Sequence, residues 1–437
     1  MKLLRKKLVG GHNKLLYFLF LFFIILNKPV LSSQILDYET EEFLRYLIDE
    51  IKIVNNIEKD IKFKIISNKN INAFVDENNI IHITSGLIEH SEDYVALISV
   101  LAHEIGHIDL NHILSRKKKI NKISNFKKIS NLSIIAGSMI SGNPELLQTL
   151  AVGSAGSSNI FIEFSKEQET EADIYSINTM KKLELNSYSI IRLLETIKKK
   201  SVERGLTENM QRISSHPYFD DRINLINHLR ENDDYSFEIK ANNMFKFIRA
   251  KFLGYSENKI IIQSLEKPYI DYSKSITKAR SGDLKNSLKN INSLIKLFPN
   301  NYYLIETKAD ILFSYGFTNE SIEFYKLIFK REPKNVYAQI RIFTNTKIDD
   351  LSKEEINELF KNNLVLLNKY YNNKNLLKKF LEIAEINKKV EWINFINFWI
   401  NSHLIRHENL EENLNVYKIT NDKDLSHLIN IIYNNYL

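Results

Sequence analysis

The sequence predicts an α+β chain: a mainly helical domain with a small β-sheet, followed by an all-α region of repeats. Three observations carry that reading. Apolar residues recur at helical spacing along most of the 437 residues. One stretch, "NAFVDENNIIHITSGLI" (Asn72–Ile88), has the pattern of a β-hairpin instead. Beyond about residue 240 short amphipathic helices return with a fixed period. A hydrophobic fraction of 44% beside 26% charged residues is that of a folded chain and excludes a disordered one.

In chain order, a basic start ("MKLLRKKLVGGHNK") leads into an apolar run, Leu15–Leu26, and then to small residues at Ser32 and Ser33. That order is the pattern of a secretory signal. The apolar run falls short of the roughly 20 residues of a spanning helix. Residues 1–33 are therefore expected to be a signal peptide cleaved near Ser32 or Ser33, with a retained membrane anchor as the alternative. Lys2, Arg5, Lys6, Lys7, Lys14 and Lys28 lie in this segment, which holds no acid; without those six charges the formal +7 becomes +1. A nucleic-acid partner thereby loses its main support. The cluster Arg116, Lys117, Lys118, Lys119, Lys122, Lys127 and Lys128 reads as a solvated helix face, with peripheral contact to anionic lipid as the alternative. Cysteine is absent, so no disulfide and no lipidated cysteine is available. The expected location is the compartment beyond the membrane, a bacterial periplasm.

Residues from about 34 to 70 show helical spacing ("TEEFLRYLIDEIKIV") and lead to a strand. In the hairpin that follows, Asp76, Glu77, Asn78 and Asn79 supply the turn. A helix from about Ser91 to Asn111 has its apolar stripe at Tyr94, Leu97, Ile98, Leu101, Ile105 and Ile108. Ile134–Ser158, rich in Gly, Ala and Ser, reads as two short helices about a proline-containing turn. In the C-terminal region Gly282 and Gly316 are 34 residues apart, as are Ser287 and Ser321, Leu294 and Ile328, and Pro299 and Pro333. That is the tetratricopeptide period, with Ala309 at the small-residue crossing. Such repeats stack into arrays that bind segments of other proteins. The expected division is 1–33 signal peptide, 34–240 catalytic domain and 241–437 repeat domain.

Chemistry concentrates in "SVLAHEIGHIDLNH" (Ser99–His112). His103 and His107 are one helical turn apart on one face, where two imidazoles can grip one cation. Neutral imidazole suits Zn²⁺, and a tetrahedral site with three protein ligands keeps a position open for water. Glu104 stands beside the first ligand, placed to take a proton from attacking water and return it to a leaving amine. H-E-x-x-H is a known zinc-protease pattern. A third ligand is needed, and "SKEQETEAD" (Ser165–Asp173) offers carboxylates. Glu169 and Asp173 are again one turn apart, so that one can ligate and the other can accept the free ring N–H of a ligand histidine. Glu163, Glu167 and Glu171 compete for the ligand role, although solvation is the simpler reading of them. His112 is expected to cap or pack near the helix end. His82, His90, His228, His403, His407 and His427 are given surface or packing roles.

His103, Glu104 and His107 with Glu169, Ala172 and Asp173 resemble the paired H-E-x-x-H and E-x-x-A-D motifs of the gluzincin zinc metalloproteases, the family of the prenyl-protein proteases and the HtpX-like proteases. The likeness is closest to its periplasmic branch with C-terminal tetratricopeptide repeats, the β-barrel assembly-enhancing protease type. It covers most of residues 40 to 235, and the domain order extends it to the C-terminus.

The resemblance implies a zincin-type metalloprotease domain holding one Zn²⁺, with Glu169 as third ligand. It also implies that the edge strand, Asn72, Ala73 and Phe74, pairs with extended substrate. "SSHPYFDDRI" resembles a further signature, carried by His216, Pro217 and Arg222. His216 then either donates to the oxyanion or swings onto zinc as a fourth ligand that shuts the enzyme off. Arg222 either holds a loop or stabilises the oxyanion. The implied function is a periplasmic zinc endopeptidase acting on unfolded or stalled proteins, with outer-membrane β-barrel proteins or their assembly machinery as partners. The alternatives are a chaperone or scaffold working through the repeats, and a membrane-tethered protease.

Overall fold

The computed structural model describes residues 34–76, 78–115, 164–203, 216, 219–230, 238–349, 351–402 and 407–436. The expected signal peptide, Glu77, the basic cluster at 116–128, the segment 134–158, Glu163, Pro217, His403 and the His407 side chain lie outside the described residues.

Helix α1 (Tyr38–Asn55) starts where the Asp37 side chain accepts the Thr40 N–H at 2.9 Å. It ends at Asn56, whose φ of 57° is left-handed. Phe43, Leu44, Leu47, Ile48 and Ile51 share its buried face. The helical spacing expected to run to about 70 is thus cut short, and the chain beyond forms strand β1 (Lys62–Ile66).

Strands β2 (Ala73–Val75) and β3 (Ile80–Thr84) form the expected hairpin, with Phe74 opposite His82. Its turn is tied by Asp76 Oδ1, which accepts the N–H groups of Asn78 and Ile80, both at 2.9 Å. β1 runs parallel to β3, giving the order β1-β3-β2. Gln34 bridges to Ile66 on the far side of β1, so β2 is the opposite edge of the sheet. The hairpin pattern expected as far as Ile88 stops at Thr84. That hydroxyl accepts the Leu87 N–H at 3.1 Å and caps a short helix, α2 (Ser85–His90). A local cap outcompetes continued strand pairing there.

Helix α3 (Tyr94–Asp109) is the expected motif helix, and nearly every residue on it is buried. Its N-cap, Asp93, accepts the Ala96 N–H at 2.9 Å, the Ser189 hydroxyl at 2.7 Å and Arg192 Nη2 at 3.0 Å. Around α3 pack α1, β2 and three further helices, α4 (Lys166–Lys182), α5 (Tyr188–Glu203) and α7 (Ile239–Ser256). Helix α6 (Phe219–Leu229) lies on α4 and α5.

The expected boundary at 240/241 falls in the first turn of α7, a helix with a face in each of two cores. Ala241, Phe245, Ile248 and Phe252 pack in the core around α3. Phe247 and Ala250 pack with Tyr269, Tyr272, Ile276 and Leu294. After α8 (Lys259–Gln263) come α9 (Tyr269–Arg280), α10 (Leu284–Leu297), α11 (Tyr302–Ser314), α12 (Thr318–Arg331) and α13 (Val336–Asn345). Helix α12 begins and ends 34 residues after α10. Gly282 and Gly316, which precede these two helices, have φ of 92° and 83°, a region that side chains rarely enter. Ser287, Ser321 and Ala309 are fully buried, as small residues at close helix contacts must be. A third core, with Phe360, Phe380, Trp392 and Phe395, joins the remaining helices α14 (Lys353–Lys369), α15 (Lys374–Ile386), α16 (Val390–Asn401), α17 (His407–Tyr417) and α18 (Lys423–Tyr436). Among the described residues no helix is long and apolar enough to cross a membrane.

Candidate metal centre

Helix α3 presents His103 and His107 on one face, and α4 lies across that face. The approach is close because residue 106 is glycine: a Cβ there would stand 3.1 Å from the Tyr175 side chain. Ser176 Oγ donates to the Ser99 carbonyl at 2.7 Å and fixes the crossing. Helix α4 starts in a capping box. The Ser165 hydroxyl accepts the Gln168 N–H, and the Gln168 side chain accepts the Ser165 N–H. The next residue, Glu169, then points between the two histidines. It is buried, with its ordinary cost of burial outweighed by His216, His103 and His107, and its carboxyl is held well below its usual range.

Four side chains converge. His103, His107, Glu169 and His216 each offer one ligand atom, and all four atoms lie within 4.8 Å of one another. His103 Nε2 stands 3.1 Å from His107 Nε2, 3.3 Å from His216 Nδ1 and 3.6 Å from Glu169 Oε2. Glu169 Oε1 stands 3.5 Å from His107 Nε2 and 3.0 Å from His216 Nδ1. Ligands about 2.0–2.1 Å from the centre of a tetrahedron are about 3.3 Å apart, so these spacings fit a zinc ion. Nitrogen lone pairs facing each other at 3.1 Å repel unless a proton or a cation lies between them, which is a second sign of fit. Burial, with His103 adding to it, outweighs the opposing pull of Glu169 and Glu104 and pushes His107 down to about 3, which keeps its ring neutral and able to ligate.

Behind these side chains, His103 Nδ1 donates to Asp173 Oδ1 at 2.9 Å. Arg222, expected at a loop or at the oxyanion, sits against two carboxylates. Its guanidinium clamps Asp173 and lies 3.6 Å from Glu169 Oε2, and it is buried among the acids of α4. Helix α6 packs on α4, which brings the arginine to the carboxylates.

Glu104 is buried; its Oε1 is 3.1 Å from His216 Nε2, and its Oε2 meets no hydrogen-bond donor among the described residues. Burial would raise its carboxyl, but the histidines around it, His216 first, hold it down, so it is a carboxylate and can accept a proton. Ala73, on β2, reaches the site through its carbonyl, which accepts from His216 Nε2 at 3.2 Å. Asn72 stands just before the strand, and Phe74 is stacked on His82 with ring centroids 4.8 Å apart. Three groups escaped the sequence reading. His112, expected only to cap or pack, contacts His107. Glu171, expected to be solvated, pairs with His112. Phe164 stacks on the His107 ring with 3.7 Å between centroids. Glu167 is exposed.

The crossing of α3 and α4 around this donor set defines a zinc metallopeptidase domain. Residues 39–230 match the model of peptidase family M48, a zinc metalloprotease family, and the buried His103, His107, Glu169 and His216 lie within that span. Similar proteins include the metalloproteases YcaL and LoiP of Escherichia coli (strain K12), each 27% identical, over 168 and 164 residues, or 37% of this chain and 60% of each relative. The beta-barrel assembly-enhancing protease of the same organism is 21% identical over 285 residues, 61% of this chain and 57% of that relative. The chain thus spans about three-fifths of the length of the curated relatives it matches.

Proposed function

We propose that this chain is a periplasmic zinc endopeptidase that removes unfolded or stalled proteins during outer-membrane β-barrel assembly. The observation that carries the reading is the convergence of His103, His107 and Glu169 on one point beside the buried Glu104. Relatives bearing the name beta-barrel assembly-enhancing protease support the choice of client. The signal-like residues 1–33 support export, with 34–240 as the protease domain. The 34-residue recurrence of helices supports tetratricopeptide-like repeats over 241–437 that recruit protein clients.

His103, His107 and Glu169 hold the metal, while Asp173 fixes the ring of His103 and Arg222 fixes Asp173. Zinc, when bound, lowers the pKa of water and polarises a carbonyl. The carboxylate of Glu104 takes the proton of the attacking water and delivers it to the departing amine. The backbone of β2, at Asn72, Ala73 and Phe74, holds an extended client along the sheet edge.

His216 serves as a latch. Its ring takes up the fourth corner of the ligand set, touches Glu104 and donates to the Ala73 carbonyl, an acceptor that an extended substrate would need. This favours the fourth-ligand role over oxyanion donation. Removing the imidazole in His216→Ala raises cleavage of an unfolded client; lower activity under every condition would sink the latch.

The primary test is zinc content with cleavage of an unfolded β-barrel protein. Wild type binds one zinc and cleaves. Glu169→Ala loses both, and Glu104→Gln keeps zinc while cleavage drops by about 10²–10⁴-fold. Undiminished cleavage by Glu104→Gln overturns the mechanism. If that variant lacks cleavage but still supports barrel assembly, a chaperone or scaffold role replaces the protease role.

A further inference from the structure

His112 lies five residues beyond His107, past the end of α3, and the mechanism above gives it no task. The chain brings it back through Asn111, whose φ of 58° is left-handed, a conformation that asparagine tolerates better than most residues. The result is a buried ring whose Nδ1 lies 2.9 Å from His107 Nδ1, while its Nε2 lies 2.9 Å from Glu171 Oε2.

The proton positions follow from what each group can do. An ionised carboxylate only accepts, so the contact with Glu171 has His112 Nε2–H as donor. A neutral imidazole protonated there carries its lone pair on Nδ1. The facing atom, His107 Nδ1, must then be the donor, which leaves His107 Nε2 without a proton and turned toward His103 Nε2 and Glu169 Oε1. On the other ligand, the same service comes directly from Asp173 to His103 Nδ1. Glu169, Glu171 and Asp173 all belong to α4, so one helix supplies a metal ligand and anchors both histidines.

We propose that His112 and Glu171 are a positioning pair: a histidine backed by a carboxylate that fixes the tautomer and ring plane of His107 for metal binding. This rests on the reading that His107 ligates zinc.

The test measures zinc dissociation by chelator competition, the visible spectrum of the Co²⁺-substituted protein, and the melting temperature of the metal-free protein. The variants are His112→Ala, Glu171→Ala, Glu171→Gln and His107→Ala. His112→Ala is expected to weaken zinc binding by about 10–100-fold and to shift the Co²⁺ spectrum. Glu171→Ala weakens binding less, by about threefold to tenfold, because a mostly exposed carboxylate is already solvated. It leaves the metal-free melting temperature unchanged, and Glu171→Gln, which keeps an acceptor oxygen, restores near-wild-type affinity. An unchanged zinc constant and Co²⁺ spectrum in both alanine variants overturns the pair. So does weakened zinc binding matched by an equal loss of metal-free stability in both, since packing would then account for it. If wild type binds no zinc, or His107→Ala binds it as tightly as wild type, the metal site itself is wrong and the pair falls with it.

Discussion

Arg222 grips Asp173 with two hydrogen bonds, Nε to Oδ2 at 2.9 Å and Nη2 to Oδ1 at 2.8 Å, and both residues are buried. Burial would raise the Asp173 carboxyl, but the guanidinium and then His103 bring it down to about 2. Asp173 is therefore an anion that accepts the His103 N–H, and Arg222 is what allows it to remain one. Arg222→Met leaves that charge buried without its partner, a cost of about 3–5 kcal/mol. The metal-free melting temperature should fall accordingly. The double variant Arg222→Met with Asp173→Leu should recover most of the stability but not the zinc affinity, because His103 has lost its anchor. A single variant as stable as wild type would remove the clamp from the account.

Gly106 sets how near α4 can come to α3. A methyl group there stands 3.1 Å from two carbons of Tyr175, tighter than ordinary contact. Gly106→Ala should lower stability by about 1–3 kcal/mol through overpacking. It should also weaken zinc binding, since Glu169 and Asp173 ride on the displaced helix. Measured together, a falling melting temperature with unaltered zinc affinity would show that Tyr175 yields while α4 stays in place.

Much of the site was legible because its ligands repeat at helical spacing. His103 and His107 on α3, and Glu169 and Asp173 on α4, each need only one turn of local geometry to share a face. The hairpin was legible through its turn residues, but its end was not. The apolar run Leu87–Ile88 continues the strand composition, and only the capping hydroxyl of Thr84 shows that a helix has begun. His112 and Glu171 were hidden for a different reason. Their pairing depends on one left-handed residue and on the crossing of two helices, neither of which spacing encodes. The clamp of Arg222 on Asp173 was hidden for the same reason, since the two are 49 residues apart.

Lys251 ties α7 to the start of α1. Its ammonium, buried on α7, lies 2.7 Å from Glu39 Oε2 and 2.7 Å from Asp37 Oδ2, at the start of α1. There Leu36, Tyr38 and Glu41 line a small cavity together with Val336, Ile340 and Tyr370. Burial opposes the charge on Lys251, but Asp37 and Glu39 outweigh it and raise its pKa well above the ordinary value. Lys251→Met should cost about 3–5 kcal/mol by stranding two carboxylates. Limited proteolysis should show earlier cutting near the start of α1 than in wild type. Wild-type stability and protection in this variant would mean that apolar packing alone holds the junction.

Glu306, on α11, gives a pH dependence whose sign can be worked out. Burial raises its carboxyl most. Lys251 pulls the other way and Asp310 and Asp37 add to the rise, so that it titrates at about 8 rather than near 4.5. The folded chain therefore holds this proton more tightly than the unfolded chain does. The associated stability is present in full below about 4.5 and is lost as the pH climbs through about 8. Asn335 Nδ2 donates to Glu306 Oε2 at 2.7 Å, a bond that a glutamine oxygen can also accept. Glu306→Gln should accordingly melt like wild type at pH 4 and above it at pH 8.5, by about 1–3 kcal/mol, with a shift of about 2–4 °C for each. Melting curves of both proteins across that range decide the matter. A difference that stays constant with pH, or shrinks as pH rises, would show that Glu306 is ionised in the fold and that its burial is compensated by Lys251.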